Sequence, residues 1–397
     1  MLDRKALGIL FSTLFLLMLG VGIIIPNIAY RAQELSSTPF QISLLFTLYS
    51  LMQFLFAPIW GHLSDRIGRK PVLLAGLMGN AAGLVYFGLS TRLPHLYVAR
   101  GLSGLMSSAA LPTAMAYVAD VTDEAGRGRA MGLMGAAMGL GFIFGPGVGG
   151  VLSRWGHGAP FLVAGGVNLV TCALAALLLR ESLARAVPGT TPPLRRPAPW
   201  RALKSPLLPF YVVAFFVPFA MMALEATFPL FIQDRFGLGA RDMGVMFLCM
   251  GTAVFLVQGL LLGRWIQAVG EEHVLVSGLL INAAGFLLVI AAQGRISLTA
   301  SLVVSGVGNQ VMRPTNASLI TKRTTMGQGA AIGLMDSFDS LGRIFGPILA
   351  GRLYGSGHGR PYATSAAILI LVSFLLWLVR RTWRGAPGTL SAPPAGA

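Results

Sequence analysis

Between two long apolar runs the chain reads Gly61-His62-Leu63-Ser64-Asp65-Arg66-Ile67-Gly68-Arg69-Lys70. The runs at 40–59 and 71–89 each have about the 20 residues that a helix needs to cross the hydrocarbon core of a bilayer. Because charged side chains are costly in hydrocarbon, this decapeptide is predicted to lie at a membrane surface as a turn between two spanning helices. Gly61 and Gly68 permit a tight turn of this kind.

The composition indicates a membrane protein. Hydrophobic residues make up 55% of the chain and charged residues 11%, whereas soluble proteins carry about 25% charged residues. The formal net charge is +16, which fits basic loops that face the cytoplasm better than a nucleic-acid surface. The lipid bilayer is therefore an expected partner, and nucleic acid is not.

Apolar runs are spaced along the chain as six, a break and six again. They fall near 7–30, 40–62, 71–90, 93–119, 129–153, 159–179, 208–232, 242–265, 272–292, 297–320, 329–354 and 361–380. The fold is predicted to be an all-α membrane protein with twelve transmembrane helices in two six-helix repeats. The expected segments are an N-terminal half at 1–180, a Pro-rich basic cytoplasmic linker at 181–207, a C-terminal half at 208–384 and a disordered tail at 385–397.

Two internal comparisons support this organisation. The segments 132–150 and 333–351 are identical at ten of nineteen positions without a gap, which predicts two related halves with a substrate site between them near the bilayer midplane. With the N-terminus inside, 19 Lys and Arg residues fall in the inner segments and 8 in the outer loops. That bias predicts that both termini are cytoplasmic.

The decapeptide G-x-L-S-D-R-x-G-R-K resembles the loop between helices 2 and 3 of the major facilitator superfamily. In that family the loop latches the two halves in the outward-facing state. The resemblance implies that Asp65 faces the backbone N–H groups at 329–332, and that Asp120 or Asp123 pairs with Arg69. The latch candidates are Gly61, Asp65, Arg66, Gly68, Arg69, Lys70 and Asp120. A loop that only sets membrane orientation is the alternative.

A glycine-rich motif lies in the fifth predicted span and consists of Gly141, Gly145, Pro146, Gly149 and Gly150. It resembles the gxxxGPxxGG signature of the drug/proton antiporter branch, which implies export. Small residues at every fourth position let helices approach closely, and the proline permits a bend. Ordinary packing of small residues is the alternative reading.

Two further motifs bear on proton coupling. Arg100 begins a segment that resembles the RxxqG motif of the fourth helix, which in the antiporters is linked to proton transfer. In the first span, residues 20–26 resemble the motif of tetracycline-type antiporters, but Leu17 stands where that motif has an aspartate. The departure removes one expected proton-coupling carboxylate.

Ionisable residues inside predicted spans are functional candidates. The proton-coupling candidates are Glu225, Asp336 and Asp339. Glu225 ranks first because its sequence neighbours are apolar or small, whereas Asp339 and Arg343 are four residues apart and can form a structural ion pair. The candidates for substrate contact or charge tuning are Arg100, Arg313, Arg343, Asn27 and Gln53.

These features predict an inner-membrane secondary transporter that exports hydrophobic or amphipathic drugs in exchange for protons. A monomer is expected, with a small-molecule substrate and no cofactor or metal. The usual motifs of nucleotide, zinc or serine-hydrolase sites do not occur, so an enzyme is not expected. An exporter or importer of a sugar or other small metabolite is one alternative, and a non-transporting receptor on the same fold is another.

Overall fold

The computed structural model describes residues 4–182, 205–324 and 327–384, which are almost entirely helical. Residues 183–204 of the predicted linker and the predicted tail at 385–397 lie outside this part. The helices are α1 (Arg4–Ile24), α2 (Asn27–Gln33), α3 (Pro39–Ile67), α4 (Arg69–Leu89), α5 (Leu93–Asp120), α6 (Glu124–Leu152), α7 (Ala159–Leu178), α8 (Leu208–Phe236), α9 (Ala240–Leu256), α10 (Leu262–Val269), α11 (Glu271–Ala291), α12 (Arg295–Arg323), α13 (Gln328–Ser356) and α14 (Arg360–Arg384).

Local signals explain several helix ends. The Thr38 hydroxyl accepts a hydrogen bond from the Gln41 backbone N–H at 3.3 Å, and the Gln41 side chain accepts one from the Thr38 N–H at 2.9 Å, so the two residues cap α3 reciprocally. At the other end of α3, Gly68 has a φ of 110°, a conformation that favours glycine. The predicted turn in the decapeptide is therefore a one-residue break between α3 and α4.

Within the described residues, ten helical segments are long and apolar enough to cross a membrane. The two other long helices, α12 and α13, contain more polar residues. They carry four of the ionisable candidates: Arg313, Asp336, Asp339 and Arg343. Charged side chains within these two helices lower their hydropathy.

The two halves pack in the same way. In the first half α1 packs on α6 and α7, and α4 packs on α5 and α7. In the second half the equivalent pairs are α8 with α13 and α14, and α11 with α12 and α14. The sequence repeat is thus a structural repeat, and the predicted fold class is confirmed.

Contacts between the halves lie mainly between α3 and α13 and between α6 and α9. The Thr47 hydroxyl of α3 donates to the Ile344 carbonyl of α13 at 3.1 Å. The Tyr30 hydroxyl is 3.3 Å from the Pro229 carbonyl, across the same boundary. We call this end of the bundle the distal end. The two halves are in contact there.

At the other end, which holds the decapeptide at 61–70 and is called the motif end, the halves are apart. Facing helices of both halves present glycines here, and a Cβ atom built on any of them would meet nothing within 4 Å. These glycines are Gly61, Gly132, Gly135, Gly139, Gly259, Gly263, Gly329 and Gly333. The molecule is closed at the distal end and open at the motif end.

Candidate functional site

A cavity of about 470 Å³ lies between the two halves. Polar and charged side chains from both halves line it: Tyr49, Ser50, Gln53, Arg100, Glu225, Gln258, Asn309, Gln310, Arg313, Asp339 and Arg343. The apolar lining includes Met18, Phe46, Met138, Phe142, Met221, Met222, Met250 and Phe255. Flexible methionines and aromatic rings form an adaptable apolar surface into which a few charges project.

Arg100 is the charged residue that α5 contributes from the first half. It is 5% exposed, and its guanidinium lies 4.2 Å from the centre of the Tyr49 ring. Its Nε donates a long hydrogen bond of 3.4 Å to the Leu45 carbonyl. Cation–π contact and one carbonyl hold the planar group in place, and no carboxylate of the described residues lies within ion-pair distance of it.

Glu225 is the charged residue that α8 contributes from the second half. It is 6% exposed and lines the cavity. Among the described residues it has no ion pair within 4.0 Å, although Arg343 and Arg100 are the charges that act on it electrostatically. Glu225 is therefore a carboxylate that faces the cavity without a bound partner.

The other acidic candidates have partners. Arg343 Nε donates to Asp339 Oδ2 at 2.6 Å along one face of α13. Asp336 lies outside the cavity lining and pairs with Arg313 of α12 at 3.2 Å, where both side chains are more than half exposed. The structure thus separates Asp336 from Asp339, and of these two only Asp339 lines the same cavity as Glu225.

Of the two amide candidates, one reaches the cavity. Gln53 lines it, and its Nε2 donates to the Tyr49 hydroxyl and the Ser107 hydroxyl, both at 3.2 Å. Asn27 is fully buried between helices, and its Nδ2 donates to the Ile23 carbonyl at 3.0 Å. Asn27 does not line the cavity.

A turn of π-helix at Val257–Leu261 separates α9 from α10 and was not predicted from the sequence. Such turns often occur at functional sites because the extra residue redirects side chains. Gln258 lies in this turn and lines the cavity. Tyr49 also lines the cavity and was not predicted from the sequence, although it precedes Gln53 by four residues and so shares its helix face.

The glycine motif of α6 packs in two directions. Gly141, Gly145 and Gly149 lie against the backbone of α1, where a Cβ atom on any of them would collide with main-chain atoms. Gly150 instead faces α9 of the second half, and a Cβ atom there would be 2.9 Å from the Ala240 carbonyl oxygen. In α13, Gly342 and Gly346 approach the α8 backbone in the same way.

The latch candidates form a network within the first half. Asp65 pairs with Arg69 at 2.5 Å, and Arg69 Nε also donates to Asp120 Oδ2 at 3.1 Å. Arg66 has no ion pair with another described residue. The expected contact of Asp65 with residues 329–332 is absent, because the halves are apart at the motif end.

Glu181, which no sequence motif singled out, completes this network. Its carboxylate accepts hydrogen bonds from the backbone N–H groups of Arg69, at 2.8 Å, and Lys70, at 3.2 Å, and so caps the first turn of α4. Lys70 Nζ donates to the carbonyls of Ala176 and Leu179, both at 2.7 Å, at the end of α7.

Comparisons with known proteins agree with this architecture. The model of the Major Facilitator Superfamily matches residues 10–265 and 250–396. Multidrug resistance protein 1 of Bacillus subtilis strain 168 is 28% identical over 370 residues, covering 92% of this chain and 94% of that protein. Tetracycline resistance protein, class C, of Escherichia coli is 30% identical over 410 residues, covering 98% of this chain and 100% of that protein. A variant of the nucleoside transporter NupG has a TM-score of 0.79 at 12% identity, covering 94% of this chain and 99% of that chain, which concerns the fold alone.

Proposed function

Since the chain belongs to the Major Facilitator Superfamily and is a multi-pass membrane transporter, we propose that it exports hydrophobic or amphipathic drugs in exchange for protons, by alternating access. The observation that carries the proposal is the cavity between the halves, closed at the distal end and open at the motif end. Its methionines and aromatic rings suit apolar compounds of varied shape. The multidrug and tetracycline resistance proteins among its relatives support export.

The proposed setting is the inner membrane, with both termini and the motif end in the cytoplasm. The excess of Lys and Arg in the segments at that end supports this orientation. The cavity is then open to the cytoplasm and can take up a drug from the cell interior or the inner leaflet. The proposed unit is a monomer, since the cavity is formed by the two halves of one chain.

Glu225 is the proposed proton carrier. It lines the cavity and has no hydrogen bond or ion pair with another described residue, so it is free to exchange a proton with water there. Asp339 is held by Arg343 at 2.6 Å, which suits a structural or substrate-contacting role. Arg100 and Arg343 act on Glu225 electrostatically, and their positive charges favour its ionised form.

Everted membrane vesicles test the proposal because they present the motif end to the medium. We expect an imposed gradient, acid inside, to drive accumulation of tetracycline or fluorescent amphipathic cations, and a protonophore to abolish it. The control is a matched vesicle preparation that lacks the protein. Accumulation of sugars or other small metabolites without any drug would overturn drug export, and binding without accumulation in any arm would indicate a receptor.

A further inference from the structure

The charges in the cavity do not all neutralise one another. Five charged residues line it: Arg100, Glu225, Arg313, Asp339 and Arg343. Arg343 pairs with Asp339 at 2.6 Å and Arg313 with Asp336 at 3.2 Å. Among the residues that the structure describes, this leaves one cation, Arg100, and one anion, Glu225, outside any ion pair.

These two residues belong to different halves. Arg100 comes from α5 and Glu225 from α8, and both are more than nine-tenths buried by the protein. The terminal amino groups of Arg100 have no hydrogen-bond acceptor among the described residues, since only its Nε donates, to the Leu45 carbonyl. Glu225 accepts no hydrogen bond from these residues either. Each group therefore faces the cavity without an ion-pair partner among the described residues.

A charge withdrawn from water is costly unless a partner compensates it. A ligand with one charge can compensate only one of these two groups, whereas a ligand with both charges can compensate both. We propose, on the basis of the transport function above, that the preferred substrates are amphoteric: an apolar body bearing an anionic group that Arg100 binds and a cationic group that Glu225 binds.

The rest of the cavity fits such a compound. Met221 and Met222 line the cavity from α8, the helix that carries Glu225. Met138 and Phe142 line it from α6 of the first half. An apolar body can pack between these side chains while its two ends reach opposite halves. A guanidinium suits a carboxylate in particular, because its planar donors match the two carboxylate oxygens.

Two dyes with one ring system test the charge requirement. Tetramethylrhodamine carries a cationic ring and a carboxylate, and its methyl ester keeps the ring but loses the carboxylate. We expect purified wild-type protein to bind tetramethylrhodamine about tenfold more tightly than the ester, or better, by fluorescence anisotropy. Equal affinity for the two dyes would overturn the proposal.

Variants then test which residue binds each charged group of the dye. Arg100→Gln should reduce the difference between the dyes to less than about twofold, and Arg100→Lys, which keeps the charge, should retain part of it. Glu225→Gln should weaken binding of both dyes, because both carry the cationic ring. If Arg313→Gln removes the difference and Arg100→Gln does not, the anionic end is bound by Arg313 and the assignment to Arg100 is wrong.

The dye-binding experiment and the vesicle transport experiment can fail independently of each other. If drugs accumulate in the everted vesicles while the two dyes bind equally, or neither binds, the amphoteric preference fails and the transport function stands. If no compound accumulates but the purified protein still distinguishes the dyes, the binding preference stands and the transport function fails.

Discussion

Gly145 of α6 and Gly22 of α1 are packed backbone against backbone: a Cβ atom on Gly145 would lie 2.6 Å from the Cα atom of Gly22. Contact this close needs the absence of a side chain on both helices. Pro146 follows directly and removes one backbone hydrogen bond from α6, which allows the helix to bend beside the contact.

Gly145→Val should therefore force α6 away from α1. We expect it to lower the free energy of unfolding by about 1–3 kcal/mol, as overpacking does, and to block transport or make it leaky. Gly166→Val is the matched control, because a Cβ atom on Gly166 of α7 meets nothing within 4 Å. Thermal unfolding in detergent and vesicle transport measure both effects, and wild-type behaviour of Gly145→Val would contradict the packing argument.

Asp65→Asn tests the latch. In the present conformation Asp65 pairs with Arg69 inside the first half, so the variant should still fold and insert. If Asp65 moves to the N-terminus of α13 when the motif end closes, loss of its charge should reduce transport by roughly tenfold or more. Asp120→Asn removes the other partner of Arg69 and serves as the comparison. Near-normal transport by Asp65→Asn would show that Asp65 does not act as a latch between the two halves.

The two glycines of the decapeptide should behave differently. Gly68 has a φ of 110°, and a Cβ atom there would lie 2.5 Å from the carboxylate of Glu181. Gly68→Ala should thus cost about 1–3 kcal/mol of stability. Gly61→Ala should instead raise stability by about 0.5–1 kcal/mol, because Gly61 lies inside α3, its Cβ meets nothing within 4 Å, and alanine favours a helix interior over glycine. Equal unfolding temperatures for the two variants would show that Gly68 is not needed for the turn.

The sequence predicted the helices, the repeat and a turn within the decapeptide because these features depend on local hydropathy and on glycine. The structure confines that turn to Gly68 and places Gly61 inside α3. It did not predict the cap that Glu181 provides, since that contact joins residues 112 positions apart. The π-turn at Val257–Leu261 was missed for a related reason: it interrupts a continuous apolar run that has no proline. Asn27 was a candidate for substrate contact, but the packing of α2 buries it away from the cavity.

A cluster at the distal end gives a pH prediction. Glu34 Oε1 lies 2.7 Å from His157 Nδ1, and Arg31 is its second partner. Burial raises the pKa of Glu34, but the hydrogen bonds from His157 and Arg31 outweigh it and leave the pKa below its ordinary value of 4.5. Because the folded pKa is the lower one, the carboxylate stabilises the folded protein above pH 4.5 and this contribution is lost as the pH falls further.

Glu34→Gln should therefore unfold at a lower temperature than the wild type near neutral pH, and the difference should shrink well below pH 4.5. Thermal unfolding of both proteins in detergent at the two pH values is the measurement. A difference that grows on acidification would mean that the carboxylate is not stabilised by its partners.

Glu225→Gln tests the proton carrier. Glu225 faces the cavity without a bound partner, whereas Asp339 is held by Arg343 and Asp336 by Arg313. The substitution keeps the shape of the side chain but removes its exchangeable proton. We expect Glu225→Gln to abolish accumulation driven by a pH gradient in everted vesicles, while the purified protein still binds an uncharged drug.

Two carboxylates provide the comparison for Glu225. Asp336→Asn alters an exposed pair outside the cavity lining and should retain gradient-driven accumulation. Asp339→Asn leaves Arg343, which lines the cavity, without its ion-pair partner and should instead weaken folding or substrate binding. Full pH-driven accumulation by Glu225→Gln, together with its loss in Asp336→Asn, would transfer the proton-carrying role to Asp336.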